Sequence, residues 1–264
     1  MVLNSIFTTM GSTLGKAVIL DFGIQWACWA VAASLKTEKF YDLAGSSTYI
    51  LLTFLSMNQN KTIHTRQKVN SSMVIAWASR LGFYLFTRIL KDGSDKRFNA
   101  VKTKPGVFWI YWTLQGVWVF STLLPTLIVN SKKDNTRIKT RDYAGWGLWG
   151  LGFLMEVLAD YQKSQFRKNP ENAGKFINTG LWSISRHPNY FGEILMWSGL
   201  YVSASSTLKG WEHISIISPL FLTFLLTNVS GIPPLEAAGQ KRWGSDPDYV
   251  AYVKNTAKLI PYIW

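Results

Sequence analysis

The sequence predicts an all-α fold, a polytopic membrane protein with about seven transmembrane helices. Three observations support this fold class. Hydrophobic residues make up 48% of the 264-residue chain, whereas charged residues make up only 16%, compared with about 25% in soluble domains. Apolar stretches of nearly membrane-spanning length recur along the chain, and polar, basic connectors separate them. Because no repeat or linker divides the chain, we expect one transmembrane domain over residues 1–264.

The predicted spans follow one another as apolar runs bounded by polar residues. The first run is long and lacks a small-residue cleavage site, so it is predicted to be a span and not a signal peptide. It contains the lone cysteine, Cys28, which we expect to be a buried structural thiol. The second run is short, and the fifth carries Glu156 and Asp160 near its end. The seven spans are predicted at residues 14–35, 44–58, 72–90, 107–129, 143–160, 189–208 and 213–231.

The distribution of basic residues predicts how the chain is oriented in the membrane. The net charge is +13, and seven spans put the two termini on opposite sides. If the N-terminus faces the lumen, the cytosolic segments contain 17 Lys and Arg residues and the opposite side contains 10. The positive-inside rule favours this orientation, which puts residues 161–188 and the C-terminal tail in the cytosol.

Two apparent signals do not predict a site. The stretch GWGLWG (145–150) matches G-x-G-x-x-G, but that fingerprint needs a preceding strand, and this stretch lies in the fifth predicted span. Glycines at this spacing favour close packing of membrane helices instead. The histidines His64, His187 and His213 lie in separate segments, so we expect no metal site. The basic excess fits nucleic acid, anionic lipid or a phosphorylated ligand, and the hydropathy makes nucleic acid the poorest of these, so we expect no nucleic-acid partner.

Residues 160–193 concentrate charged and hydrogen-bonding side chains beside the sixth span. The basic residues alone would suit a juxtamembrane patch held by anionic lipid. The segment also contains neutral donors and acceptors that such a patch does not need: Asn178, Ser185, Asn189 and Tyr190. Basic and neutral hydrogen-bonding groups together suit a ligand that carries phosphates, ribose and amide groups. These residue types therefore predict a nucleotide cofactor that is bound without a Rossmann fold.

The C-terminal tail, residues 233–264, adds Glu236, Tyr249 and Tyr252 to the candidate binding residues. Its other interpretation is an interfacial helix with aromatic rings at headgroup level. That interpretation fits Trp243 and the terminal PYIW better than it fits Glu236.

These blocks resemble the steroid 5-alpha-reductase superfamily, and in particular its branch with a DUF1295 domain. The residues that carry the resemblance are DYQKSQFRKNP, TGLWSISRHPNYFGEI, KRWG and LIPYIW, together with FYDLAGS at 40–46 and RLGFYLFTRILKDGSDKRF at 80–98. The resemblance covers roughly residues 36–264. It implies a seven-helix reductase that holds NADPH in a cytosol-facing cavity of its C-terminal segments. It also implies a reductase-like region at about 140–264 and an endoplasmic reticulum location.

Several residues match, position by position, motif positions that bind the cofactor in the superfamily. The motifs are D-Y…R-K and Q-K…F-R-K-N-P before the sixth span, R-H-P and N-(Y/F)-x-G-(D/E) at its start, and a tyrosine in the tail. The residues at those positions are Asp160, Lys163, Arg167, Arg186, His187, Asn189, Tyr190, Glu193 and Tyr252. Asn178, Ser185, Glu236 and Tyr249 complete the predicted cofactor-binding set.

The implied chemistry is hydride transfer to a conjugated C=C bond, which needs an acid that hydrogen-bonds the carbonyl oxygen of the substrate. The steroid enzymes use a Gln-Glu pair on the second helix, and this sequence has no such pair there. The nearest acids are Glu38 and Asp42, with Tyr41 between them, and we take these three as the candidate catalytic residues. We expect burial to raise the pKa of the carboxyl groups so that one of them can donate a proton. Their other interpretation is as polar residues at the start of an interfacial helix.

Two other functions stay open. RHPNYFGE and Glu236 are compatible with a membrane methyltransferase that uses S-adenosylmethionine, although this methyl donor carries no phosphate for the basic cluster. The second is a non-catalytic membrane lipid-binding protein that keeps a degenerate site. For the reductase, the expected partners are a steroid or other hydrophobic lipid substrate and the surrounding membrane lipids, and we expect a monomer.

Overall fold

The structure, a computed structural model, describes residues 2–133 and 136–263. Within these ranges it contains nine α-helices and no β-strand, which confirms the all-α class. The helices are α1 (Val2–Leu35), α2 (Tyr41–Met57), α3 (Thr65–Asp92), α4 (Pro105–Ser131), α5 (Thr140–Lys168), α6 (Pro188–Ala204), α7 (Ile217–Phe224), α8 (Ile232–Trp243) and α9 (Pro247–Asn255). Between them lie short 3-10 helices at Lys96–Phe98, Pro170–Asn172, Gly180–Ser183 and Gly210–Ile216, and a π-helix at Leu225–Val229. Trp264, the last residue of PYIW, lies outside the described residues.

Four helical segments are long and apolar enough to cross a membrane, which supports the prediction of a polytopic membrane protein. They are Gly11–Leu35, Thr65–Asp92, Pro105–Ser131 and Gly210–Trp243, and they correspond to the first, third, fourth and seventh predicted spans. Helices α2 and α6 contain 17 residues each. At 1.5 Å per residue they are about 26 Å long, shorter than the roughly 30 Å hydrocarbon core. The count of seven spans therefore stays a prediction.

The chain divides into two compact units. The first unit contains Met1–Asp142 and Ser203–Ser218, and the second contains Tyr143–Val202 and Pro219–Trp264. The prediction of a single domain is not decided by this division and stays a prediction.

Aromatic side chains form the core of the first unit. The buried rings of Tyr49 and Trp77 meet edge-on with centroids 5.0 Å apart, and Trp112 meets Phe108 at 6.1 Å. Between membrane helices such contacts stabilise through close packing, since lipid tails are as apolar as the core. Cys28 lies at the edge of this core and is half-buried, so the expectation of a fully buried thiol is wrong.

In the second unit, glycines let α5 and α6 approach closely. A methyl carbon on Gly192 would lie 2.6 Å from the carbonyl oxygen of Gly152, so neither helix tolerates a side chain at this contact. The approach joins the polar end of α5 to the polar start of α6. Asn189 Nδ2 donates a hydrogen bond to Asp160 Oδ1 at 3.3 Å there.

The glycines of GWGLWG contribute unequally to this packing. A methyl carbon on Gly199 of α6 would collide with the carbonyl oxygen of Gly145, as the helix-packing interpretation predicts. Side chains added at Gly147 and Gly150 would meet open space, so the same interpretation is wrong for those two positions.

Candidate functional site

The second unit contains a cavity of about 290 Å³. The end of α5, the loop before α6, α8 and α9 form its walls. The lining residues are Lys163, Phe166, Arg167, Lys175, Phe176, Ile177, Trp182, Arg186, His187, Leu235, Glu236, Ala238, Gly239, Arg242, Trp243, Tyr249 and Tyr252. Residues of the polar segment before α6 and residues of the C-terminal tail therefore meet at one cavity.

The last turns of α5 present two of the basic residues. Lys163 and Arg167 are four residues apart, so they lie on one face of the helix. The helix ends where the side chain of Asn169 accepts a hydrogen bond from the Glu171 N–H at 3.0 Å. Gly174 follows with a φ of 84°, a left-handed conformation that glycine adopts without strain and that turns the chain back towards α5.

A 3-10 turn carries the next part of the wall. It starts at Gly180, which has a φ of 62°. Gln162 of α5 accepts a hydrogen bond from the Leu181 N–H at 2.9 Å, and Trp182 Nε1 donates to the Ala159 carbonyl at 3.0 Å. These bonds hold the Trp182 ring against α5, where Lys163 Nζ lies 4.5 Å from its centroid.

Glu236 of α8 joins the tail to the segment before α6. Its Oε2 accepts a hydrogen bond from Arg186 Nη1 at 2.6 Å, and its Oε1 lies 2.8 Å from His187 Nε2. The Arg186 N–H also donates to the Ala257 carbonyl at 2.8 Å. Both oxygens of one carboxylate thus fix two neighbouring side chains of RHP.

Positive charge dominates the cavity. Five Lys or Arg side chains line it, against a single carboxylate, that of Glu236. Arg186 is ion-paired with this carboxylate, and its Nε is buried without a hydrogen-bond partner in the structure. The other four cations form no ion pair with any described residue: Lys163, Arg167, Lys175 and Arg242. Unneutralised cations beside an unused buried donor fit an anionic ligand with several acceptor oxygens, such as a phosphate ester.

Two protonation states follow from the surroundings. Burial, together with the neighbouring Arg167, lowers the pKa of Lys163 to about 8. Burial also lowers the pKa of His187, although Glu236 opposes this effect, so the imidazole is neutral at pH 7 and its Nε2–H donates to Glu236. In the ranges that the structure describes, no three His, Cys, Asp or Glu side chains are grouped as a metal site would require.

Aromatic rings form the rest of the wall. Phe176 stacks on Tyr252 at 5.4 Å and meets Tyr249 edge-on at 5.1 Å. The Tyr252 hydroxyl donates to the Trp182 carbonyl at 2.7 Å, which fixes its ring. The Tyr249 hydroxyl lies against Gly239, where any side chain would collide with it. Flat aromatic faces beside cations suit a ligand that carries a ring as well as negative charge.

The structure brings together part of the predicted cofactor-binding set. The members that line the cavity are Lys163, Arg167, Arg186, His187, Glu236, Tyr249 and Tyr252. The members that do not line it are Asp160, Asn178, Ser185, Asn189, Tyr190 and Glu193. Ser185 holds the tail through its hydroxyl, which donates to the Leu259 carbonyl at 2.7 Å, and Tyr190 stacks on His187 at 5.7 Å. These contacts support the cavity wall, and a direct binding role for any of the set stays a prediction.

Sequence reasoning missed about half of the cavity lining. The missed polar and aromatic members are Phe166, Lys175, Phe176, Trp182, Arg242 and Trp243. A signal was present, because a basic and an aromatic residue are adjacent in FR at 166–167, KF at 175–176 and RW at 242–243. Each pair supplies a charge and a ring to the same cavity.

Glu38, the first candidate catalytic residue, lies in the first unit and is ion-paired. Its carboxylate accepts hydrogen bonds from Lys102 Nζ at 2.9 Å and from the Asp95 N–H at 2.9 Å. Burial alone would raise its pKa, but these two donors hold the pKa below its ordinary value. The expectation of a raised pKa is therefore wrong for Glu38, because the sequence did not show where Lys102 lies.

The other two candidates have different contacts. Asp42 pairs with Arg97 Nη2 at 3.0 Å. The Tyr41 hydroxyl donates to the Tyr111 carbonyl at 2.8 Å and is outside any ion pair in the described part of the chain. Catalytic roles for these three residues stay a prediction.

Comparison with known proteins gives one match over most of the chain. A family model described as "Protein of unknown function (DUF1295)" matches residues 28–256. No solved structure matches.

Curated relatives match over shorter stretches. The 3-oxo-5-alpha-steroid 4-dehydrogenase 1 of Macaca fascicularis is 36% identical over 120 residues, which are 46% of this chain and 40% of the relative. The "Probable 7-dehydrocholesterol reductase" of Acanthamoeba polyphaga mimivirus is 29% identical over 129 residues, 42% of this chain and 26% of the relative. The "Probable O-methyltransferase ustE" of Ustilaginoidea virens is 33% identical over 66 residues, 25% of this chain and 23% of the relative. The matched region thus spans less than half the length of each of these relatives.

Proposed function

The chain belongs to the DUF1295 family, and on that premise we propose that it is a membrane-embedded, NADPH-dependent reductase of a C=C bond in a steroid or other hydrophobic lipid. The relatives named as a steroid dehydrogenase and a sterol reductase support this class of reaction. They also place the chain within the steroid 5-alpha-reductase superfamily.

The unneutralised positive charge of the aromatic cavity carries the proposal. Four cations without ion pairs suit the phosphates of NADPH, and the aromatic rings suit its bases. The cavity of about 290 Å³ is at the lower end of the roughly 300–1,000 Å³ range of small-molecule pockets, so it matches part of a dinucleotide. When bound, NADPH supplies the hydride for the reduction.

The residues of the cavity have separate tasks in this proposal. Lys163 and Arg167 bind phosphate oxygens from one face of α5. The Arg186 Nε donates to the ligand, because it has no partner in the structure. Glu236 keeps Arg186 and His187 in place by accepting a hydrogen bond from each.

Reduction of an enone also needs a proton donor, which we place among Glu38, Tyr41 and Asp42. An ion-paired carboxylate is ionised at neutral pH and has no proton to give, and both Glu38 and Asp42 are ion-paired. The Tyr41 hydroxyl retains its proton and is the preferred donor.

The O-methyltransferase relative favours a second candidate function, transfer of a methyl group from S-adenosylmethionine. Glu236 could bind the ammonium group of this donor. The donor has no phosphate, however, so it would leave Lys163, Arg167, Lys175 and Arg242 without a counter-charge. The reductase is therefore the better proposal, with a non-catalytic lipid-binding protein as the remaining alternative.

The proposed location is the endoplasmic reticulum membrane, with the C-terminus in the cytosol. The basic connectors support this orientation through the positive-inside rule. It lets cytosolic NADPH reach the second unit. We propose a monomer whose partners are its lipid substrate and the surrounding membrane lipids.

Ligand binding to the purified full-length protein tests the proposed function. Trp182 and Trp243 line the cavity, so their fluorescence reports on binding of NADPH, NADH or S-adenosylmethionine. The reductase proposal expects NADPH to bind more tightly than the other two. Binding of S-adenosylmethionine alone would establish the methyltransferase instead, and binding of none of the three would leave the lipid-binding protein.

A further inference from the structure

The buried acidic residues of the first unit are not all neutralised in the same way. Three of them form ion pairs with Lys or Arg: Glu38, Asp142 and Glu212. The fourth, Asp21, lies in the apolar part of α1 and is 0% exposed. It forms no ion pair with any residue in the described ranges. An ionisable residue inside a membrane span marks a functional site by default, because it is costly there.

The hydrogen bonds around Asp21 come from uncharged side chains. Gln25 Nε2 donates to Asp21 Oδ1 at 3.3 Å and to Thr48 Oγ1 at 3.2 Å. Gln25 Oε1 accepts from Gln115 Nε2 at 2.9 Å. Gln25 is thereby fully used, and Oδ2 of Asp21 has no hydrogen-bond partner. The polar cluster of Asp21, Gln25, Thr48 and Gln115 thus ends in one unsatisfied oxygen.

The missing partner fixes the chemistry of that oxygen. A carboxylate enclosed by apolar and neutral groups is strongly disfavoured, so the Asp21 carboxyl is protonated. Since Oδ1 already accepts from Gln25, the proton belongs on Oδ2. The Oδ2–H group is then a buried donor without an acceptor in the described chain, a situation that calls for a ligand or a water molecule.

An apolar cavity lies next to this group. It has a volume of about 240 Å³ and lies between α1 and α2, with Ala17, Leu20, Leu52 and Leu55 among its lining residues. Leu20 directly precedes Asp21, and Ala17 lies one helical turn before it. An apolar molecule in the cavity would need only a short extension to bring an oxygen to Oδ2.

We infer that Asp21 is the hydrogen-bond donor of a lipid-binding site in the first unit, which takes an apolar molecule carrying an uncharged acceptor oxygen, such as a ketone. The neutral cluster selects against charged headgroups, because a buried charge would find no counter-ion there. The inference rests on the proposed function only for the class of lipid. Cofactor binding to the second unit is measured separately, so failure of one does not imply failure of the other.

Infrared difference spectroscopy of the full-length protein in nanodiscs tests the proton and the ligand together. The probe is cholest-4-en-3-one, and its control is 4-cholestene, the same hydrocarbon without the ketone oxygen. We expect a protonated-carboxyl band that disappears in Asp21→Asn and shifts when the ketone is added, but not when the hydrocarbon is added. A band that ignores the ketone, or an Asp21 that is ionised at pH 7, overturns the inference. A shift produced by phosphatidylcholine alone would identify an ester carbonyl of a bilayer lipid, and not a ketone, as the occupant and overturn the inference in that form.

Two further variants guard against a purely structural role. Asp21→Leu removes an unsatisfied buried polar group, so the protein should keep its melting temperature while its preference for the ketone over the hydrocarbon falls about tenfold, the scale of one hydrogen bond. Ser34→Ala serves as the matched control on α1, because Ser34 bonds only to the Ala30 carbonyl of its own helix. A Leu variant that still prefers the ketone would refute the site. Loss of folding in the Leu variant, with no ketone-induced shift in the wild type, would assign Asp21 to structure instead.

Discussion

Arg186 and Glu236 are 50 residues apart in the chain, and their side chains form a 2.6 Å hydrogen bond at the wall of the cavity. The pair joins the RHP segment to α8, so the cavity exists only when both parts of the chain are folded.

Glu236→Gln should therefore destabilise the second unit. The loss is about 1.5–3 kcal/mol, the usual contribution of a hydrogen bond to a charged group. Without the carboxylate, the pKa of His187 should fall further below its ordinary value, because Glu236 is the group that raises it. Thermal unfolding and NMR titration of His187 measure the two effects, and the exposed Glu171→Gln is the control. An unchanged His187 titration would show that the two side chains do not interact in solution.

Arg167→Ala should weaken binding of NADPH more than binding of NADH. A 2′-phosphate that loses one charge-assisted hydrogen bond loses about tenfold in affinity or more. Lys168→Ala is the matched control, since the neighbouring Lys168 does not line the cavity. Titration of tryptophan fluorescence gives all the affinities. Equal losses for both cofactors would assign Arg167 to lipid or to structure.

Lys163 should make NADPH binding sensitive to alkaline pH. Its pKa in the free protein is about 8, so the side chain loses its positive charge as the pH rises through that value, and affinity for phosphate falls. The phosphate itself is fully ionised above its second pKa of about 6, so it does not contribute to this change. Lys163→Arg stays charged and should bind with constant affinity from pH 7 to about pH 9. Parallel pH profiles of the wild type and this variant would contradict the assignment.

Tyr41→Phe should separate proton donation from folding. The variant keeps the ring that packs on Phe98 at 4.7 Å and on Trp112 at 4.9 Å. We expect turnover of NADPH with an enone lipid to fall about 10²-fold, with unchanged NADPH affinity, as when an acid catalyst is lost. Tyr84→Phe is the control.

Glu38→Gln tests the competing assignment in the same assay. We expect it to lower the melting temperature by breaking the ion pair with Lys102, with normal turnover of the folded protein. Reduced turnover at an unchanged melting temperature would make Glu38 the donor instead.

Tags at defined positions test the orientation. A tag after residue 264 and a tag within 165–175 should both be accessible from the cytosol in selectively permeabilised cells, and a tag near residue 135 should be protected. The reason is the excess of Lys and Arg on the predicted cytosolic side. Protection of the C-terminal tag would invert the topology and remove the route by which cytosolic NADPH reaches the second unit.

The sequence by itself determined the fold class and the chemical character of the cavity. Apolar runs separated by basic connectors predict helices in a membrane, because the unsatisfied backbone of any open sheet would be too costly there. The residues Lys163, Arg167, Arg186 and His187 were recognisable because they lie close together in the chain and are of types that bind phosphate.

The tertiary structure decided which charges remain free. Lys102 lies 64 residues from Glu38 and neutralises it, whereas no cation reaches Asp21, and neither fact can be read from local pattern. Lys175 and Arg242 likewise join the cavity only through turns and long-range contacts. The availability of a charge depends on its partners in space, and those partners are set by helix packing over long sequence separations.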